Sequence, residues 1–254
     1  MANPVFTNTK EFKAGAPVGF GTDAQQTGIE GAHDRMTYEG TIVKAASLFL
    51  LAVASAFVVG MVVPGLTLPI SMAAFVMSLV VAFGTRHQPK PALMAVTVAL
   101  YGGAAGGMSV YYEATYGGII MQALIGTAVV FASALTAYRM GWIRGSSKIR
   151  KFLAIAVPAY VVFSLINVAM VMFGDFNMRD VEIGGLGIKL GLVLSLFAIT
   201  VGALMLISDF DFVENGVVKG LPAKWEWSAA YGLVFAIIWI YMEMLRLLSY
   251  FRGR

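Results

Sequence analysis

The chain has 254 residues, 59% of them hydrophobic and 13% charged, with a formal net charge of +4. Soluble domains carry about 25% charged residues, and here the apolar residues come in long blocks, which excludes a soluble fold. There is no basic arm with interleaved aromatics, so nucleic-acid binding is not expected; Cys is absent, which excludes disulfides and thiolate chemistry, and with His33 and His87 the only histidines, histidine-based metal or triad chemistry is not expected either.

The first 36 residues are polar and rich in Gly, Thr and Gln. They lack the short apolar core of a cleavable signal peptide. Too little apolar surface is present to offset the entropy of ordering, so residues 1–36 read as a disordered cytoplasmic tail. Seven apolar stretches follow, each near the ~20 residues needed to cross a bilayer. They cover residues 42–63, 66–83, 92–112, 118–138, 152–173, 186–207 and 228–249. Each is apolar on all sides, without the alternation of a barrel strand. The expected fold is therefore all-α, a polytopic seven-helix transmembrane bundle over residues 37–254.

The connections are short. Pro64-Gly65 separates the first two spans, and the Gly/Pro-rich run 84–91 the next two. The fourth connection carries Arg144, Lys148, Arg150 and Lys151, with Arg139 just before it. Basic residues are retained on the cytoplasmic side. Even-numbered loops hold most of them, which places the N-terminus inside. Seven spans then put the C-terminus outside, against the basic end formed by Arg246, Arg252 and Arg254.

Within the third span, Gly102, Gly103, Gly106 and Gly107 form two overlapping Gly-xxx-Gly spacings. Such spacings let a neighbouring backbone approach closely. Pro158 and Asn167 interrupt the fifth span, and a Pro kink inside the bundle is expected.

Ionisable groups inside a bilayer are costly, by a contested ~2.5–3.5 kcal/mol or more each. Lys44 and Lys189 lie near span ends, where long stems reach the interface. Glu113 ends the third span and receives no role. Glu243 lies roughly 15 residues, or about 22 Å, into the last span. It must be protonated, paired or facing a cavity. Arg246, three residues on, offers a local ion pair. The other candidate partners are Asp209, Asp211 and Glu214, at the end of the sixth span before Asn215-Gly216, a plausible helix stop. Three carboxylates there oppose the helix dipole unless they serve a cation. Calcium suits such oxygens and accepts a loose geometry. Two facing acids would share a proton, since their titrations are coupled.

Four stretches carry a family resemblance: residues 122–131 (QALIGTAVVF), 206–209 (LISD), 239–248 (WIYMEMLRLL) and 36–41 (MTYEGT). In this order, across roughly residues 36–250, they resemble the Bax inhibitor-1-like family and its bacterial branch. The resemblance implies a bundle with the last helix near its centre, in a bacterial plasma membrane. It also implies an acidic pair on the last two helices acting as a proton-sensitive gate for a calcium leak. Carried over by position, that pair is Asp209 and Glu243, which would also be the calcium ligands. The chain departs from the pattern in three ways. Glu243 stands for an Asp, Arg246 for a common Asn, and residues 217–227 lengthen the link between the two acids. With Gly216 as the stop, Asp209 is shallow and Glu243 deep.

The resemblance leaves two functions open. One is the passive, proton-regulated cation leak. The other is a non-conducting regulator that uses its N-terminal tail to bind a membrane partner such as a membrane-bound protease. No catalytic motif is present, so neither an enzyme nor a resident cofactor is expected.

Overall fold

Helices are the expected outcome of these apolar blocks, because lipid leaves no partner for an unpaired backbone amide. A computed structural model describes residues 35–85, 88–174, 176–184 and 187–253. The tail before residue 35, with His33, and also Arg86, His87 and Arg254, lie outside the described residues.

Seven helices are long and apolar enough to span a membrane. They are α1 (Tyr38–Val62), α2 (Thr67–Gly84), α3 (Pro91–Thr115), α4 (Ile119–Arg139), α5 (Ser147–Gly174), α6 (Leu190–Val218) and α7 (Trp225–Arg252). The all-α polytopic architecture thus stands as the sequence leads one to expect. A two-stranded antiparallel hairpin, β1 (Glu182–Ile183) and β2 (Ile188–Lys189), precedes α6.

The helix ends differ from the apolar blocks where local chemistry overrides hydropathy. Asn215-Gly216 does not stop α6, which runs on to Val218. The chain reverses instead at Gly220, whose positive φ of 63° suits a residue without Cβ. Residues 217–227 thus form the end of α6, a short turn and the start of α7. At the other end, Ile188–Lys189 pairs as a strand, so α6 begins at Leu190. α5 continues through Pro158 as one helix.

α7 packs against α1, α3, α4 and α6, and its Tyr160 and Trp239 ring contact also ties it to α5. The last helix is therefore the centre of the bundle. One apolar cluster joins α4, α6 and α7 through Ile119, Leu206, Ile240 and Leu245. A second joins α1, α3 and α7 through Leu48, Val98, Ala230 and Val234.

The glycines of α3 act in packing, as their spacing suggests. A Cβ on Gly102 would stand 2.7 Å from the Ala52 Cα, and one on Gly106 would stand 2.6 Å from the Ala56 Cα. Gly103 and Gly107 face side chains instead, those of Val59 and Thr67.

The start of α1 is clasped by the start of α7. Thr37 caps α1 by accepting from the Gly40 amide at 2.9 Å. Its own amide and hydroxyl donate to Glu226 Oε1 at 2.7 and 3.1 Å, and Lys44 Nζ meets Glu226 Oε2 at 2.5 Å. Gly40 leaves the room for that carboxylate. Lys44 thus reaches toward the helix ends, where Glu226 meets it. Breaking a buried pair strands the surviving charge. Glu226→Gln is therefore expected to release residues 36–44 selectively, read as faster amide exchange at the start of α1 with α3 unchanged.

Candidate functional site

The deep acid of the last helix is buried, with Glu243 only 2% exposed. An isolated carboxylate there would be strongly disfavoured. Four groups surround it. Arg246 Nη1, one turn on, donates to Oε1. Tyr160 Oη of α5 donates to the same oxygen at 2.6 Å, and Ser195 Oγ of α6 donates to Oε2 at 3.2 Å. Arg179 Nη1 lies 3.9 Å from Oε2.

Arg179 is the partner that hydropathy does not reveal. It sits in a 3₁₀ turn, Met178–Asp180, between α5 and the β-hairpin, yet it is 7% exposed. Its Nη2 donates to Tyr160 Oη at 2.8 Å and to Ser164 Oγ at 3.3 Å. Its guanidinium lies over the rings of Tyr160 and Phe163, at 5.5 and 5.8 Å. Guanidinium is the cation suited to such a place, being planar, weakly hydrated and able to stack on rings. The cluster holds two fixed positive charges and one carboxylate.

Asp209 lies elsewhere. Its carboxylate sits over Gly232 of α7, where an added Cβ would come within 2.7 Å of Oδ1. Gly232 and Glu243 are three turns apart on α7, about 16 Å at ~1.5 Å per residue. On α6, Ser195 beside Glu243 is about 21 Å from Asp209 by the same rise. The expected Asp209–Glu243 contact is not formed. The residue that faces Asp209 on the last helix is a glycine, and Glu243 is drawn instead to Arg246 and Arg179.

The other two acids of this stretch are held by the end of α4, the loop after it and the start of α5. Arg150 Nη1 lies 3.3 Å from Asp211 Oδ2 and donates to the Gly145 carbonyl at 2.7 Å. Glu214 accepts from Tyr138 Oη and, at 3.2 Å, from Arg144. Salt bridges to Arg144 and Arg150 thus answer the dipole objection, and α6 can extend past Gly216. Among the described residues, no group of three or more acidic or His side chains is placed to hold a metal ion. Asp209 has no hydrogen bond or ion pair among them.

The charges that complicate the orientation are also engaged. Arg246 is bound to Glu243, and Arg252 Nη1 donates to the carbonyls of Tyr116 and Gly117 at 3.1 and 2.6 Å. Glu113, given no role from sequence, caps α4 by accepting from the Gly118 and Ile120 amides at 2.5 and 3.0 Å.

The family model described as Bax inhibitor 1 like matches residues 3–253. The chain belongs to the Bax inhibitor 1 like family. The match covers all seven helices. No curated protein matches the chain.

Proposed function

We propose that this Bax inhibitor 1 like protein is a passive cation leak, with calcium the expected ion, and that its proton-sensitive group is Asp209 alone. One observation carries the reading. Among the described residues, Asp209 is the acid set inside the bundle that has no hydrogen-bond or ion-pair partner, whereas Glu243, Glu226, Asp211 and Glu214 each have a cation beside them. Ionised, a lone carboxylate needs water or a cation in place of apolar neighbours. Protonated, it fits the close α6–α7 contact over Gly232. Flux therefore rises as pH rises. In this reading the protein sits in a bacterial plasma membrane with its N-terminus cytoplasmic, and no catalytic step is involved.

The test is calcium flux into proteoliposomes across a pH series. Wild type is expected to conduct more at higher pH, and Asp209→Asn to stay at the low-pH level throughout. Flux equal to that of protein-free liposomes at every pH would overturn the leak. A pH response unchanged in Asp209→Asn would place the sensor elsewhere.

A second reading is favoured by the neutralisation of Glu243. An acid held by two arginines is not free to bind a cation, which suits a non-conducting regulator of a membrane-bound protease or similar partner. That reading expects no flux, and expects deletion of the N-terminal tail to abolish co-purification of the partner.

A further inference from the structure

α1 and α4 both flank α7 but make no extensive contact with each other. The gap between them is an open groove, with α7 as its floor. Two cavities fill it, one of about 880 Å³ and one of about 770 Å³, and they adjoin at Phe49, Phe131 and Ile237. The larger runs from Arg139 to Phe131 along α4, about 12 Å at ~1.5 Å per residue. Half of a ~30 Å hydrocarbon core is about 15 Å, the depth of one leaflet. Its walls are apolar: Ala46 and Phe49 on α1, Leu135 on α4, Leu233 and Ile237 on α7.

The mouth of this cavity is charged. Arg139, Arg144 and Glu214 line it. Arg144 is already bound to Glu214. Arg139 is exposed and has no ion-pair partner among the described residues, so the mouth carries one uncompensated positive charge. Aromatic residues mark the same level. Tyr38, at the mouth, is 49% exposed, and Trp142, three residues past Arg139, is 72% exposed. Tyr and Trp gather where headgroups meet hydrocarbon.

We infer that the groove between α1 and α4 is a binding site for one anionic phospholipid, with an acyl chain against Phe49 and Ile237 and the phosphate at Arg139. The shape fits one leaflet's depth, and the cation stands at headgroup height. Phosphate is the anion that height supplies, and a guanidinium is its usual partner. The site stands apart from whether the protein conducts ions, because neither Asp209 nor Glu243 lines the two cavities.

Native mass spectrometry of the full-length, delipidated protein tests this, with phosphatidylglycerol and phosphatidylcholine of identical acyl chains as probes. Wild type is expected to retain one phosphatidylglycerol per chain, several-fold more than phosphatidylcholine. Arg139→Gln, at an exposed position, is expected to bring phosphatidylglycerol down to the phosphatidylcholine level. Ala46→Trp, which fills the cavity from its open side, is expected to remove both. Three outcomes would overturn the site. They are equal retention of the two lipids by wild type, retention undiminished by Ala46→Trp, or a dimer that Ala46→Trp dissociates, which would assign the groove to a second copy.

Discussion

Glu243→Gln is expected to destabilise the protein by about 3–5 kcal/mol, the cost of breaking a buried ion pair and leaving its charge behind. The substitution keeps the volume but leaves Arg179 and Arg246 facing each other across a neutral amide. Arg246→Met is expected to cost less, because Arg179 remains as a counter-charge to Glu243. Asp209→Asn removes no ion pair and is expected to leave stability unchanged. Unfolding of the three variants in a denaturing detergent series measures the order directly. If Glu243→Gln matched wild type, the arginine cluster would have no part in holding α5, α6 and α7 together. This contrast also separates the two acids by role: one fastens the bundle, the other has no fixed partner.

The second large effect is expected at the glycine seam. Gly106→Val and Gly102→Val bring side-chain atoms against the backbone of α1, where a Cβ alone would stand 2.6 and 2.7 Å from Cα atoms of Ala56 and Ala52. Backbone has no rotamer to yield, so α1 and α3 must move apart. Overpacking costs typically about 1–3 kcal/mol where side chains can adjust, and here the loss should exceed that range. Gly103→Ala meets side chains rather than backbone, a Val59 methyl at 2.9 Å and Ser55 Oγ at 3.3 Å, and is expected to fall at the mild end. Equal losses at Gly102 and Gly103 would show that the seam tolerates separation.

The sequence made the seven helices legible because hydropathy acts on whole segments and lipid admits few alternatives. The glycine seam was legible for the same reason, since close backbone approach requires small residues at a fixed spacing. Arg246 as a partner of Glu243 was legible from the three-residue spacing on one helix. Arg179, Tyr160 and Ser195 were not, because they reach Glu243 from a loop and two other helices. No local pattern marks a contact of that range. The extent of α6 is not legible because Asn215-Gly216 is a strong local stop, and the salt bridges of Asp211 and Glu214 to Arg150 and Arg144 outweigh it. Gly220, two residues before Pro222, was the better signal for the turn. Glu226 as the partner of Lys44 is not legible, because it lies at the far end of the chain.

The arginine cluster has a consequence for how the molecule is made. Arg179 is translated well before Glu243, so during synthesis it lacks the carboxylate that it meets in the fold. It is expected to wait at the water boundary while α6 inserts. Only the arrival of the final helix supplies the carboxylate that draws it inward, and the same helix brings Glu226 to Thr37. The nascent chain therefore stays an open set of inserted helices until its last segment is translated. A truncation before residue 243 should yield a product that inserts but remains sensitive to protease at the Arg179 turn.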